Sequence, residues 1–247
     1  MAKSNTLTKK DLIDVTAAIL AGGLGTRLHS IFPGRPKVLA KVQGRPFLAY
    51  LLDQLVDAGL TYVVLCTGYL GEQVKAEFGD SYNTLYLSYS QEYSPMGTGG
   101  ALRLALPLFK SDSILVMNGD SFFDADLRTF WAWHCARGAE ASLLLTRVRD
   151  TRQYGRVHVD YDGRVINFNE KGDYEGSGWI SVGIYLSEQR LISTIPEKRS
   201  VSLEKEMFPA WIGRGLYGYQ INGRFLDIGT PEAYAAAEQF FTRETAG

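Results

Sequence analysis

A glycine-rich loop followed by two basic residues is the part of the sequence that most directly indicates chemistry. Gly22, Gly23 and Gly25 follow an apolar, β-branched run, and Arg27 and Lys37 come shortly after them. Glycines let backbone N–H groups close around phosphate oxygens. Arg and Lys add positive charge to the same loop. The pattern predicts a binding site for a polyphosphate.

Spacing excludes two common kinds of phosphate-binding loop. A Walker A loop needs a Gly-Lys pair before Ser or Thr, and no Gly-Lys pair occurs in the chain. The dinucleotide fingerprint needs a third glycine three residues after Gly25, where this chain has Leu28. The plain alternative is a glycine-rich turn between a strand and a helix, with incidental charges.

A second informative stretch covers residues 91–101. It begins at Gln91 and contains Gly97, Thr98, Gly99 and Gly100. A strand is expected to end here and a helix to begin, and close approach of the backbone to a flat ligand would need such glycines. The alternative is a helix N-terminus that is capped by Thr98.

Two aspartates are candidate ligands for a metal ion. Asp120 follows a strongly apolar strand that ends at Asn118, and Asp227 ends a β-type run just before a helix. A carboxylate at the C-terminal tip of a buried strand faces the ligand crevice of an α/β sheet. Mg²⁺ takes one or two carboxylates together with phosphates. Each residue could instead stabilise a turn, and only the fold can bring the two together.

The second half of the chain carries short polar motifs next to glycines. They are Tyr154-Gly155, Glu170-Lys171, Ser181-Val182-Gly183 and Ser202-Leu203-Glu204. Taken alone, these motifs have structural explanations that serve equally well. Glu170-Lys171 could be a solvated ion pair, and Glu204 could lie near the start of a helix because of the helix dipole.

Together these motifs resemble the signature of the sugar nucleotidyltransferases, which join a nucleoside triphosphate to a sugar 1-phosphate and release pyrophosphate. The likeness is greatest to bacterial heptose- and mannose-1-phosphate guanylyltransferases, and it extends over nearly the whole chain. The resemblance therefore implies GTP and a manno-configured sugar 1-phosphate as substrates. Uridylyl- and cytidylyltransferases share most of these motifs and remain an alternative.

The resemblance also implies roles for individual residues and for a cofactor. The implied catalytic residues are Arg27, Lys37, Asp120 and Lys171. The implied nucleotide-binding residues are Leu20, Ala21, Gly22, Gly23, Gly25, Thr26, Gln91, Gly97, Thr98 and Gly99. The implied sugar-phosphate-binding residues are Asn118, Gly155, Glu170, Lys171, Gly183 and Glu204. Asp120 and Asp227 would hold Mg²⁺, with Mn²⁺ as a substitute.

One motif favours a different enzyme. Asp124-Ala125-Asp126 is an Asp-x-Asp sequence after a strand, as in many metal-dependent glycosyltransferases. Asp126 is equally well placed to cap a helix predicted over 127–137. Arg27 and Lys37 suit a triphosphate better than the diphosphate donor of a glycosyltransferase. Their presence also argues against a second alternative, a sensor of nucleotide sugars without catalytic activity.

Alternating strands and helices would position these residues. In the first half, short apolar segments predict strands at 15–20, 62–67, 85–91 and 114–118, with helices at 47–58, 71–78 and 99–106 between them. This alternation predicts an α/β fold with a doubly wound, mostly parallel sheet. The resemblance implies the Rossmann-like fold of nucleotidyltransferases.

The second half is expected to add β-hairpins and helices. Hairpins are predicted from strands at 157–159 and 165–168, and from strands at 216–220 and 224–226. A strand is predicted at 179–186, and helices at 187–195, 203–211 and 231–241. We expect one domain over 15–247 after a flexible segment at 1–14, with the nucleotide half ending near residue 140.

Composition sets the broad class of the protein. The chain has 247 residues, of which 45% are apolar and 21% charged, and its formal net charge is −1. This balance gives no global support to a nucleic-acid partner. Cys66 and Cys135 lack metal-ligand or disulfide spacing, and no apolar run is long enough for a membrane span. We expect a cytoplasmic enzyme without a membrane or nucleic-acid partner, and a homo-oligomer is compatible with the sequence.

Overall fold

The computed structural model describes residues 11–23, 32–169, 172 and 176–242. The strands are β1 (Thr16–Ala21), β2 (Lys41–Val42), β3 (Arg45–Pro46), β4 (Tyr62–Thr67), β5 (Ser81–Tyr82), β6 (Leu85–Gln91), β7 (Ser113–Asn118), β8 (Ser121–Phe123), β9 (Ala141–Val148), β10 (Arg156–Val159), β11 (Val165–Asn169), β12 (Gly178–Glu188), β13 (Leu216–Gln220) and β14 (Phe225–Asp227).

The α-helices are α1 (Phe47–Asp57), α2 (Gly71–Phe78), α3 (Gly97–Ala105), α4 (Leu127–Arg137), α5 (Gln189–Ile192), α6 (Phe208–Trp211) and α7 (Pro231–Thr242). Short 3₁₀ helices cover Leu12–Asp14, Lys37–Leu39 and Leu106–Leu108, and a π-helix covers Leu203–Met207. In the part of the chain that the structure describes, no helix has the length and apolar character needed to cross a membrane.

A ten-stranded sheet forms the centre of the molecule, with strand order β11-β10-β12-β7-β1-β4-β6-β5 and with β9 pairing both β12 and β13. Strands β7, β1, β4 and β6 are parallel to one another. Strand β12 then pairs antiparallel with β7, so the sheet continues into the second half of the chain as a mixed sheet. The predicted α/β fold with a mostly parallel sheet in the first half is confirmed.

Both faces of the sheet are covered, because successive residues of a strand point to opposite faces. In β1, Ala17 and Ile19 pack into one apolar cluster with helices α1, α4 and α7, whereas Ala18 packs into another with α3, α5 and α6. In β7, Leu115 packs into the first of these clusters and Val116 into the second. Strands β1 and β7 are consequently mostly apolar, which is the feature that made them predictable.

Local patterns predicted several elements within a residue or two. Strands β4 and β6 and helices α2 and α4 have the predicted bounds. Helix α1 ends where Gly59 adopts a φ of +85° and donates its N–H to Val56 O at 2.9 Å. This is the expected glycine termination of a helix. The first predicted hairpin is confirmed as the antiparallel pair β10 and β11.

The second predicted hairpin is wrong. Strand β13 pairs in parallel with β9, and β14 pairs antiparallel with β8 in a separate two-stranded sheet. Gly223, which suggested a turn, lies close to Phe123, since a Cβ there would overlap with the ring. Both segments form strands as predicted, but each strand pairs with one that is distant in sequence.

Two predicted helices also differ from the structure. Strand β12 continues to Glu188, and only Gln189–Ile192 of the predicted helix at 187–195 forms a helix. The predicted helix at 203–211 is divided into the π-helix Leu203–Met207 and helix α6. The second of these differences lies at the wall of the cavity described below.

Candidate active site

The candidate site lies at the carboxyl ends of β1 and β7. Gly119, just after β7, donates its N–H to Leu20 O of β1 at 2.9 Å, so the two strand tips are joined. Asp120 follows directly, and its Oδ2 accepts a hydrogen bond from Lys37 Nζ at 2.7 Å. The Lys37 side chain is only 12% exposed and that of Asp120 45%. A half-buried ion pair therefore marks the strand edge at which ligands of α/β sheets bind.

The small sheet of β8 and β14 brings Asp227 to this edge. Asp227 lies opposite Ser121, the neighbour of Asp120, and Ile228 donates its N–H to Asp120 O at 2.9 Å. Asp227 Oδ1 accepts the N–H of Gly229 at 2.6 Å. A side chain on Gly229 would lie within 4 Å of both this oxygen and Lys37 Nζ. The two aspartates that were predicted to act together are therefore neighbours.

A cavity of about 520 Å³ opens beside these aspartates. Its lining includes every described residue that was predicted to bind sugar phosphate or metal, namely Asn118, Asp120, Gly155, Gly183, Glu204 and Asp227. The walls also contain hydroxyl and aromatic side chains, including Tyr154, Ser181, Tyr185, Ser202 and Phe208. The structure thus gathers these residues into one place, while their individual roles stay predictions.

Gly183 forms the part of the cavity wall that faces β7. It has a φ of +80° and lies where the pairing of β12 with β9 is irregular between Ser181 and Tyr185. A Cβ at this position would approach Ser121 Oγ to 2.6 Å and Asn118 Nδ2 to 2.8 Å. Only glycine combines this backbone conformation with such a close approach.

Tyr185 and Glu204 meet at the back of the cavity. The Tyr185 hydroxyl donates to Glu204 Oε1 at 3.3 Å. Burial raises the pKa of Tyr185 well above its ordinary value, and the charge of Glu204 adds to the effect. The nearby side chains of Ser181 and Asn118 act on this pKa in the opposite direction and offset part of the rise. Tyr185 therefore remains a protonated donor at any physiological pH and holds the carboxylate in place.

The described residues of the nucleotide-binding prediction lie at the ends of β1 and β6 and at the start of α3. Leu20 and Ala21 end β1, and Gly22 and Gly23 follow. A Cβ on Gly22 would approach Glu92 Oε1 to 2.9 Å, so a side chain at this position would require the Glu92 carboxylate to move. Glu92 also accepts the N–H of Met96 at 3.1 Å, and burial raises its pKa.

The glycines after residue 96 have a structural explanation within the chain. Gly97 has a φ of +70°, and a Cβ there would approach Val201 O to 2.5 Å. Gly99 donates its N–H to the same oxygen at 2.9 Å and is buried. Gln91 is exposed at the end of β6. The close approach that these glycines permit is therefore to the segment around Val201.

Thr98 does not cap α3 in the predicted way. The helix begins after Met96, and the Thr98 hydroxyl instead bonds to Leu203 and Glu204 in the second half of the chain. Five further predicted site residues lie outside the described residues. They are Gly25, Thr26, Arg27, Glu170 and Lys171.

The Asp-x-Asp motif lies in a different place. Asp124 and Asp126 line a separate cavity of about 370 Å³ with Asp53 and Asp57. Asp126 is the N-cap of α4, because its Oδ1 accepts the N–H groups of Arg128 at 2.9 Å and Thr129 at 3.1 Å. These bonds and that of the Thr129 hydroxyl lower the pKa of Asp126. The helix-cap interpretation of this motif is confirmed.

The residues present suit a magnesium ion. Within the described ranges, no cluster of three or more His, Cys, Asp or Glu side chains could hold a metal by itself. The pair Asp120 and Asp227 offers hard carboxylate oxygens at one edge of the cavity. Mg²⁺ is commonly held by one or two carboxylates while substrate phosphates complete its shell. The donor set therefore fits Mg²⁺ that is bound together with phosphate.

Sequence analysis assigned no role to several residues of this site. Tyr154, Tyr185 and Ser202 line the cavity, and Glu92 lies against Gly22. Ser202 and Tyr154 belong to motifs that were singled out, but neither was given a role. Tyr185 lies two residues after Gly183 in β12. Glu92 carried no signal beyond its place next to Gln91.

Comparisons with known proteins agree with this geometry. The chain matches the sequence profile of the nucleotidyl transferase family over residues 16–244. It is 36% identical to the D-glycero-alpha-D-manno-heptose 1-phosphate guanylyltransferase of Aneurinibacillus thermoaerophilus, covering 90% of this chain and 96% of that protein. It is 38% identical to the mannose-1-phosphate guanylyltransferase of Mycobacterium tuberculosis, covering 89% of this chain but only 62% of that longer protein.

A solved structure has the same fold. HddC from Yersinia pseudotuberculosis, complexed with GMP-PN, superposes with a TM-score of 0.80 at 29% identity, covering 92% of this chain and 99% of that chain. The fold, the carboxylate pair at the strand edge and the profile match over nearly the whole sequence agree with one another. The chain belongs to the nucleotidyl transferase family.

Proposed function

We propose that this protein transfers a guanylyl group from GTP to a sugar 1-phosphate, releasing pyrophosphate and forming a nucleotide sugar. The proposed acceptor is D-glycero-D-manno-heptose 1-phosphate or mannose 1-phosphate. The observation that carries the proposal is the cavity in which Asp227 and Asp120, itself ion-paired to Lys37, meet a wall of hydroxyl and carboxylate groups. The names of the two relatives and of the ligand bound to HddC support the choice of base and sugar.

The reaction is a displacement at phosphorus. An oxygen of the sugar 1-phosphate attacks the α-phosphorus of the triphosphate, and the bond to the bridging oxygen breaks, so that its electron pair leaves with pyrophosphate. The attacking oxygen is already ionised, so the reaction needs no nucleophilic side chain. Catalysis then consists of positioning and of neutralising charge.

Lys37 and Asp120 form the centre of this arrangement. Lys37 Nζ is mostly buried and lies between the tip of β7 and the turn at Gly229. A positive charge that is held in position before the reaction stabilises developing negative charge without reorganisation. In the proposed reaction Lys37 contacts the reacting phosphates. Asp120 and Asp227 would hold Mg²⁺, which, when bound, neutralises phosphate charge.

The opposite wall suits a sugar. Glu204 accepts hydrogen bonds, Tyr185 is a protonated hydroxyl, and Ser181 adds another polar side chain. Hydroxyl-rich ligands need such donors and acceptors, because an unpaired polar group in a closed site is costly. Beyond the described residues, we propose that Arg27 contacts the departing pyrophosphate and Lys171 the sugar phosphate.

A pyrophosphate-release assay tests the proposal. GTP, UTP, CTP, ATP and dTTP are each combined with mannose 1-phosphate and heptose 1-phosphate in the presence of Mg²⁺. We expect GTP to have the highest kcat/KM, and a chelator to abolish turnover until Mg²⁺ or Mn²⁺ is restored. A clear preference for another base would contradict the guanylyl assignment alone. Folded protein that releases no pyrophosphate from any pair would contradict the proposed reaction.

A further inference from the structure

Thr98 connects the nucleotide half of the molecule to the sugar half. It lies in the first turn of α3, next to the glycines assigned to the nucleotide. Its hydroxyl accepts the N–H of Leu203 at 2.8 Å and donates to Glu204 Oε2 at 2.9 Å. A single side chain thus bonds to both the backbone and the carboxylate of the segment that forms the far wall of the cavity.

The carboxylate of Glu204 is held by three hydroxyl groups. Thr98 and Ser202 donate to Oε2, at 2.9 and 3.1 Å, and Tyr185 donates to Oε1 at 3.3 Å. Hydrogen bonds to a charged group are stronger than those between neutral groups. These three donors, of which Thr98 in α3 and Tyr185 in β12 come from other elements, fix the carboxylate in one orientation beside the cavity that Glu204 lines.

The backbone around Thr98 strengthens this connection. Val201 donates its N–H to Met96 O at 2.8 Å, and Val201 O accepts from Gly99 at 2.9 Å. The start of α3 and the segment before Glu204 are therefore bound together on both sides of Thr98. The Thr98 hydroxyl donates its one proton to Glu204, so it cannot also donate a hydrogen bond to a base.

We propose that Thr98 is a positioning residue for the acceptor: it holds Glu204 in the orientation that binds sugar hydroxyls, and it does not select the base. The inference rests on the proposed function. It moves Thr98 from the nucleotide-binding set, where the sequence resemblance had placed it, to the support of the sugar-binding wall. The start of α3 then sets acceptor affinity as well as contacting the nucleotide.

The test compares Thr98→Val, which removes the hydroxyl at nearly constant shape, with Thr98→Ser, which keeps it. We expect Thr98→Val to raise the KM for the sugar 1-phosphate roughly tenfold, the scale of one lost hydrogen bond to a charged group. The KM for GTP and the order of preference among bases should change much less, and Thr98→Ser should restore the acceptor KM. Thr129→Val, whose hydroxyl contacts Asp126 in the other cavity, is the matched control.

A double-mutant cycle with Glu204→Gln separates positioning from general destabilisation. If Thr98 acts through Glu204, the effects of the two substitutions on acceptor KM will not add. Additive effects, or an unchanged acceptor KM in Thr98→Val, would overturn the inference while leaving the enzyme activity in place. A raised KM for GTP with altered base preference would return Thr98 to base recognition. A folded wild-type protein without transferase activity would overturn both proposals.

Discussion

Asp120 and Asp124 are four residues apart, yet they lie in different cavities. Asp120 leaves the tip of a parallel strand, is paired with Lys37 and meets Asp227 across the sheet of β8 and β14. Asp124 and its neighbour Asp126 lie beyond that sheet, where Asp126 is used to begin a helix. Each region holds a pair of aspartates that the sequence suggested as metal ligands, but among the described residues only the first pair is combined with a mostly buried cation and a cavity lined by several hydroxyl groups. The neighbours of an acidic pair, more than the pair itself, indicate its chemistry.

The largest expected difference between the two regions is in turnover. Asp120→Asn and Asp227→Asn should each lower kcat by about a thousandfold or more, because loss of a metal carboxylate or an electrostatic partner typically removes several kcal/mol of transition-state stabilisation. Asp124→Asn, the matched control in the other cavity, should retain normal turnover. Pyrophosphate release and circular dichroism measure activity and folding. If kcat falls by comparable amounts in Asp124→Asn and Asp120→Asn, the two regions do not differ in their contribution to turnover.

The next effect concerns the cation. Lys37→Ala should lower turnover by ~2–4 kcal/mol in activation free energy, the usual scale for a lost electrostatic stabiliser. Lys41→Ala, an exposed lysine on β2, serves as the control. Both variants should fold, which thermal denaturation will report. If Lys37→Ala is as active as Lys41→Ala, Lys37 has no part in the reaction.

A smaller effect is expected on stability at the cavity wall. Gly183→Ala should cost ~2–5 kcal/mol of unfolding free energy, the sum of left-handed strain and overpacking. Gly44→Ala tests strain alone, because Gly44 has a φ of +77° and open space around it. Its cost should be ~1–2 kcal/mol. Urea denaturation gives both values, and equal costs would show that the contact of Gly183 with Ser121 and Asn118 is unimportant.

The smallest effect belongs to the capping aspartate. Asp126→Ala should lose ~1 kcal/mol of stability with unchanged turnover. Since the folded-state pKa of Asp126 is lowered, its ionised form stabilises the fold above pH ~4, and this contribution disappears as the pH falls through the folded-state pKa. The stability of Asp126→Asn should therefore approach that of the wild type in acid. If the difference in stability between Asp126→Asn and the wild type grew toward low pH, it would contradict a capping role for the ionised Asp126.

Local sequence patterns were sufficient for most of the first half of the fold. Strands β4 and β6 are short and mostly apolar, and α4 has an acidic cap and a glycine after its end. These signals act over neighbouring residues, so they can be recognised one segment at a time. The gathering of Asp120, Asp227 and the sugar-facing glycines rested on resemblance, and no local pattern could have supplied it.

The sequence did not indicate which strands pair when they are far apart in the chain. Strands β13 and β14 carry the alternation of a hairpin, but each pairs with a strand far away in the chain. The network of Thr98, Glu204 and Tyr185 depends in the same way on contacts between distant segments. Residue type alone left Thr98 equally suited to a helix cap, a base contact or its observed bonds.

The pairing of β8 with β14 has a consequence for how the enzyme matures. Strand β8 is synthesised well before β14, so the two carboxylates cannot meet until the ribosome has made the segments between them. The parallel strands up to Asn118 can begin to assemble earlier, because they pair with one another. The carboxylate pair therefore forms only after the parallel strands have been made.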